Sequence, residues 1–184
     1  MNCEPAALRL QYEKYGARGY YQKHGAEYRN PHEDTIAQVL REVVPRWRLD
    51  LAHALDLACG SGEATLVLRE LGATQVDGID PYTGAAYLAR TGQAAEPFDF
   101  AAIAAGALRG RRYSLIVCSF ALHLAEASRL PLLAYELAQR APHLLMLTPH
   151  KRPTLKSEWG WQLRAETLIE RVRARCYESA IAEK

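Results

Sequence analysis

Residues Asp56-Leu57-Ala58-Cys59-Gly60-Ser61-Gly62 connect a short apolar stretch, Ala54 to Ala58, to an amphipathic one that begins at Glu63. The first reads as a buried strand and the second as a helix, Glu63 to Leu71, stopped at Gly72. Glycines at such a junction let the backbone approach a ligand closely, and a carboxylate at the strand end can accept hydrogen bonds from an ammonium group. Eighteen residues after Gly62, at the tip of a second predicted strand over Gln75 to Ile79, stands Asp80. An acid there is positioned to accept both hydroxyls of a ribose.

The same alternation extends outward from this centre. Downstream, the pattern predicts a helix over Gly84 to Arg90, a strand over Phe98 to Ile103, a strand over Tyr113 to Ser119, a helix over Leu130 to Arg140 and a strand over His143 to Thr148. Arg171 to Tyr177 alternates polar and apolar residues and reads as an edge strand. Upstream, Asn30 caps and Pro31 opens a helix running to about Val44. Acidic Glu33 and Asp34 favour its first turn, Ile36, Val39, Leu40 and Val43 share one face, and Pro45 ends it. Strands alternating with helices imply parallel pairing with crossover connections. The expected fold class is therefore α/β: Rossmann-like and doubly wound, with a mainly parallel sheet and helices on both faces.

Bulk properties narrow the setting. The chain has 184 residues, 49% hydrophobic and 24% charged, which suits one folded domain rather than a disordered or fibrous chain. Residues 1–32 are read as a tyrosine-rich lid or cap and 33–184 as the main domain. Met1 to Leu10 lacks the charged start and apolar run of a secretory signal, and the apolar runs fall well short of the ~18 residues of a membrane span, so a cytoplasmic protein without a membrane partner is expected. Cys3, Cys59, Cys118 and Cys176 are scattered without metal-ligand spacing, so they read as free thiols and no metal is expected. Net charge is +2, but nine Lys or Arg against five Glu lie between Arg140 and Lys184, and Arg109, Arg111 and Arg112 form a second basic group. Such clusters are usually solvated faces, though a nucleic-acid docking surface is the alternative.

The glycine loop admits a dinucleotide enzyme as competitor. That fingerprint needs a small residue where Thr65 stands, and Glu63 at the helix start would repel a pyrophosphate while being tolerable beside a cationic sulfonium.

Asp-Leu-Ala-Cys-Gly-Ser-Gly followed by Val-Asp-Gly-Ile-Asp resembles the first motif and second-strand acid of class I S-adenosylmethionine-dependent methyltransferases, over about Ala54 to Thr148. The resemblance implies S-adenosylmethionine as cofactor, with Gly60 and Gly62 along its methionine portion, Asp56 near the ammonium, Asp80 on the ribose, and Pro81 and Tyr82 flanking adenine. Ala58 joins the same cofactor-binding loop. Asp99 and Phe100 lie where the family recognises adenine, without the usual Gly-Asp step, and Phe98 and Phe100 serve equally well as core residues. Tyr113 to His123 resembles the fourth strand and following loop of the small-molecule branch, which would set Ser119 and Phe120 beside the sulfonium. An Asn-Pro-Pro-Tyr type of tetrapeptide, expected for methylating exocyclic amines of bases, is absent.

Methyl transfer needs alignment and, for a hydroxyl or thiol acceptor, a proton acceptor. His123, just beyond the fourth strand, is the best-placed candidate base, and His150, in Thr148-Pro149-His150-Lys151-Arg152-Pro153, occupies the matching position after the fifth. Either could equally be a structural loop histidine. Tyr21, among the five tyrosines of the first 28 residues, is a third catalytic candidate, and Tyr20, Tyr28, His24, Arg29 and His32 could wall a lid. Trp159 and Trp161 either wall an acceptor pocket or cover core. Family members commonly end in a hairpin of two further strands. Only Arg171 to Tyr177 is legible as one, so a shortened C-terminal end is expected, with an open edge covered either by a homodimer partner or by the N-terminal segment. The leading expectation is a methyltransferase acting on a small-molecule O, N or S acceptor. An RNA- or protein-modifying methyltransferase and a non-catalytic S-adenosylmethionine-binding protein are the alternatives.

Overall fold

The computed structural model describes residues 25–181. Six strands form one sheet: β1 (Ala54–Leu57), β2 (Val76–Ile79), β3 (Leu115–Ser119), β4 (His143–Thr148), β5 (Trp161–Ile169) and β6 (Val172–Ser179), in the order β2-β1-β3-β4-β6-β5. The pairs β1–β2, β1–β3 and β3–β4 are parallel, while β6 runs antiparallel to both β4 and β5. Helices α1 (Glu33–Arg46), α2 (Glu63–Glu70), α3 (Gly84–Thr91), α4 (Phe100–Ala104) and α5 (Leu130–Ala138) accompany the sheet.

Successive strand residues face opposite sides of a sheet, and this chain uses both. Leu55, Leu57, Ile116, Cys118, Leu144 and Met146 pack with Ile103, Leu133 and Leu137 of α4 and α5. Ala54, Leu115, Val117, Leu145 and Leu147 pack with Ile36, Val39, Leu40 and Val43 of α1 and with Val67 and Leu68 of α2. Helices on both faces make the sheet doubly wound, as the alternating pattern implies. Chain order reverses between β1 and β3, so their carboxyl ends part there and open a crevice, the place where sheets of this kind hold ligands.

Several sequence expectations need correction. Phe98 to Ile103 is not a strand. Asp99 takes the N-cap position, its Oδ1 accepts the N–H of Ala102 at 2.8 Å, and the alanine-rich segment after it coils into α4. What remains of a third parallel strand is a single bridge between Ile79 and Glu96. The C-terminal end is not shortened, because β5 and β6 form a full hairpin. Arg171 to Tyr177 is not the edge, since β6 lies between β4 and β5. The expectation of a dimer rested on a missing last strand, and the hairpin removes that ground.

Helix α1 begins at Glu33 with His32 at its N-cap, while Asn30 Oδ1 accepts the His32 N–H at 2.9 Å one turn earlier. Pro45 lies inside its last turn rather than ending it. Trp161 is core, its Nε1 donating to the Ala134 carbonyl at 2.8 Å, and Trp159 packs against the same cluster.

Candidate functional site

Three strand ends build the site. Beyond β1, Ala58 takes a left-handed backbone with φ of 57°, and Gly60 follows with φ of 55°. The loop is pinned from below by the Cys59 N–H on the Ile79 carbonyl at 3.0 Å. Beyond β2, Asp80 gathers main-chain donors. Its Oδ1 accepts from Tyr82 and Thr83 at 2.9 and 3.0 Å, and its Oδ2 from Gly60 at 3.2 Å. Thr83 closes the circuit by donating its hydroxyl to the Gly60 carbonyl at 2.7 Å. Beyond β3, Phe120 is held at φ of 56°, its N–H bonded to the Leu147 carbonyl at 2.8 Å. A bulky residue in that region costs energy and persists where surroundings demand it.

These ends border a cavity of about 330 Å³. Ala58, Gly60, Asp80, Pro81, Tyr82, Asp99, Phe100, Ser119 and Phe120 all line it. Asp56 and Gly62 do not. Asp56 is fully buried behind the loop, and Gly62 packs so closely on α3 that a Cβ there would stand 2.5 Å from the Thr91 side chain. His123 and His150 come together with ring centroids 4.6 Å apart, but neither lines the cavity. His123 lies in the turn between Ala121 and Leu124, both of which do. Burial and the neighbouring His150 hold the His123 imidazole below the ordinary histidine range. Tyr21, Tyr20 and His24 lie outside the described residues.

Part of the lead-in reaches the cavity. Gly25 packs against the Tyr82 carbonyl, too close for any side chain, since a Cβ would stand 2.2 Å from that oxygen. Tyr28 and Asn30 then line the cavity, with a Tyr28 ring carbon 3.1 Å from where a Cβ on Gly60 would sit. His32 stacks on Phe120 with centroids 5.0 Å apart and planes 16° from parallel.

Sequence reasoning missed other wall residues. Glu63 was legible only as an acid tolerable near a cation, and Asn30 only as a helix cap. Glu126, Arg129 and Leu133 carry no local signal, since they reach the cavity through the turn after β3 and the start of α5. Glu126 and Arg129 form an exposed ion pair at 3.1 Å.

This donor set fits an adenosyl cofactor with a cationic, amino-acid tail. The loop leaves at Gly60 a cradle that a Cβ would fill, Asp80 supplies a carboxylate for a diol, Phe98 and Phe100 supply apolar surface for a purine, and Glu63 adds negative charge. Comparison with known proteins agrees. A family model described as a methyltransferase domain matches residues 54–140. An uncharacterized protein of Schizosaccharomyces pombe is 31% identical over 230 residues, covering 95% of this chain and 93% of its own length.

Magnesium protoporphyrin IX methyltransferase from Synechocystis, solved with bound S-adenosylmethionine, superposes with a TM-score of 0.59 at 16% identity, covering 97% of this chain and 99% of its own. An rRNA methylase from Escherichia coli gives 0.58 at 14% identity, covering 95% and 82%. The chain belongs to the methyltransferase-domain family and has the fold of the class I S-adenosylmethionine-dependent methyltransferases.

Proposed function

We propose that the methyl acceptor is a small molecule carrying an oxygen, nitrogen or sulfur nucleophile, taken up by a cytoplasmic enzyme. The observation that carries this reading is the apolar part of the wall next to Ser119 and Phe120, where Ala121, Leu124 and Leu133 line the cavity and none is assigned to the cofactor. Such enclosure removes water and aligns a nucleophile, which suits an in-line displacement. Bound S-adenosylmethionine supplies an activated methyl group on a sulfonium.

The chain's own residues would then divide the work. Asp80 would hold the ribose, Asp99 and Phe100 the adenine, and Gly60 would admit the methionine portion. Ser119 and Phe120 would border the reacting centre. His123, kept neutral by burial and by His150, would take the proton of a hydroxyl or thiol acceptor approaching over Phe120.

The basic clusters lend less support to a nucleic-acid acceptor. Arg111 binds Glu96, with Nη2 to Oε2 at 2.8 Å, and Arg112 donates to the Gln139 carbonyl. Arg140 pairs with Glu136, and Arg173 and Arg175 both pair with Glu166. Charges engaged in this way contribute little to phosphate binding.

The test is transfer of labelled methyl from S-adenosylmethionine to three cell fractions: small metabolites, total RNA and protein. Label in the metabolite fraction is expected. Label confined to RNA or protein contradicts the reading.

A further inference from the structure

A carboxylate and a carboxamide stand together at the Gly60 end of the cavity, and their free atoms are complementary to a zwitterion. Glu63 opens α2 yet is only 4% exposed, a rare situation for an acid unless something is bound to it. Its hydrogen bonds converge on one oxygen. Oε1 accepts from the Asn30 N–H at 3.2 Å, from Arg90 Nη1 at 3.2 Å and from the Ser61 hydroxyl. Among the described residues Oε2 receives none, and it is the atom that lies 3.2 Å from where a Cβ on Gly60 would project. Glu63 lines the cavity.

Asn30 is arranged in the same sense. Its Oδ1 accepts the His32 N–H at 2.9 Å, which leaves Nδ2 as the end without a partner among the described residues, and Asn30 lines the cavity as well. An anionic acceptor beside a neutral donor matches an ammonium beside a carboxylate. Asp56, the acid that the resemblance sets near the ammonium, is turned away. Its Oδ2 is occupied by Thr65, and the residue stands behind the wall.

We propose that Glu63 and Asn30 bind the amino-acid end of S-adenosylmethionine, Glu63 Oε2 accepting from the α-ammonium and Asn30 Nδ2 donating to the α-carboxylate. The inference rests on S-adenosylmethionine being the ligand of this cavity. Arg90 is then a positioning residue. It joins Glu63 to Glu33 and so fixes which carboxylate oxygen faces the ligand. The main-chain bond from Asn30 to Glu63 also makes the strap over Tyr28 to Asn30 part of the cofactor site, because the two recognising groups hold each other in place.

The test compares two ligands that differ in this end alone: S-adenosylhomocysteine, which carries the amino acid, and 5′-methylthioadenosine, which lacks it. Calorimetric titration of wild type, Glu63→Gln and Asn30→Ala gives an affinity for each. The expected result is a loss of about tenfold to a hundredfold for S-adenosylhomocysteine in each variant, with 5′-methylthioadenosine unchanged. Equal losses for both ligands, or no loss for either, overturn the inference. If Glu63→Gln fails to fold, Asn30→Ala, altered in the strap outside any helix or strand, decides the matter alone. Wild type that binds neither nucleoside overturns the cofactor reading and this inference together. Wild type that binds both equally overturns this inference only.

Discussion

The carboxylate of Asp56 accepts both the main-chain N–H and the hydroxyl of Thr65, at 3.0 and 2.7 Å, through its Oδ2 alone. Thr65 is the residue that spoils a dinucleotide fingerprint, and here it has a structural use. It ties the end of β1 to the first turn of α2, and its hydroxyl also meets the Tyr87 hydroxyl at 3.0 Å. Asp56 Oδ1 is buried and unpartnered.

Burial, reinforced by Glu63 and Asp80 and opposed by the Thr65 hydrogen bonds, raises the Asp56 carboxyl to about 7. A carboxyl raised above its unfolded value of roughly 3.9 binds a proton on folding. Its contribution to stability is therefore full below that unfolded value and is lost as pH climbs through about 7. Urea unfolding of wild type and Asp56→Asn across pH 4 to 8 should show the balance moving toward the variant by on the order of 3 kcal/mol. A difference independent of pH contradicts this account of Asp56.

Arg90 is 14% exposed at its side chain and bridges Glu33 of α1 to Glu63 of α2. Removing one partner of a largely buried ion pair leaves an uncompensated charge, and here Glu63 loses its cation while Glu33 keeps only the exposed Arg29 at 3.9 Å. Arg90→Ala should lower unfolding stability by about 3 kcal/mol in urea. A loss below about 1 kcal/mol, the range of exposed pairs, would show that solvent already screens this network.

Gly78 in β2 is required by packing. A Cβ there would stand 2.4 Å from the Tyr87 ring, and that ring is itself fully buried. Gly78→Ala should cost about 1 to 3 kcal/mol through overpacking. Adding Tyr87→Leu should recover part of the loss by making room, so the pair would be non-additive in a denaturation cycle. Simple additivity would place the cost in the strand backbone instead.

His123 is held below the ordinary histidine range by burial and by His150, so it stays neutral to lower pH than a free imidazole. With a hydroxyl or thiol acceptor, kcat/KM should fall on the acid side with a midpoint below the usual histidine value of roughly 6.5. His123→Ala should abolish that limb, and His150→Ala should move it upward, because His150 is one of the two causes that lower the His123 value. An unchanged profile in both variants removes the pair from proton transfer.

Strands β3 and β4 were legible as short apolar runs, as strands buried on both faces must be, while β1 and β2, each interrupted by an aspartate, were legible from their places before the glycine loop and before Asp80. The C-terminal hairpin hid for two physical reasons. Strand β5 is exposed along much of its length and bulges between Leu163 and Ala165, which breaks the two-residue period. Its turn places Glu170 and Arg171 at φ of 45° and 69°, a left-handed conformation usually signalled by Asn or Gly. Phe98-Asp99-Phe100 misled in the opposite sense, since an apolar alternation there is also an N-cap with flanking aromatics. In the site, Ala58, Gly60 and Asp80 were legible from their order along the chain. The places of Asn30 and Glu63 depend on a contact across 33 residues, which no local pattern announces.

The central claim is that the cavity bounded by Gly60, Asp80 and Phe120 holds S-adenosylmethionine. Its most direct test is parallel calorimetric titration with S-adenosylhomocysteine and NAD, on wild type and on Asp80→Ala. Wild type should bind the first and not the second, and Asp80→Ala should lose on the order of 1 to 3 kcal/mol of that affinity through lost charge-assisted hydrogen bonds. Binding of NAD alone, or S-adenosylhomocysteine affinity unchanged in a folded Asp80→Ala, would contradict it.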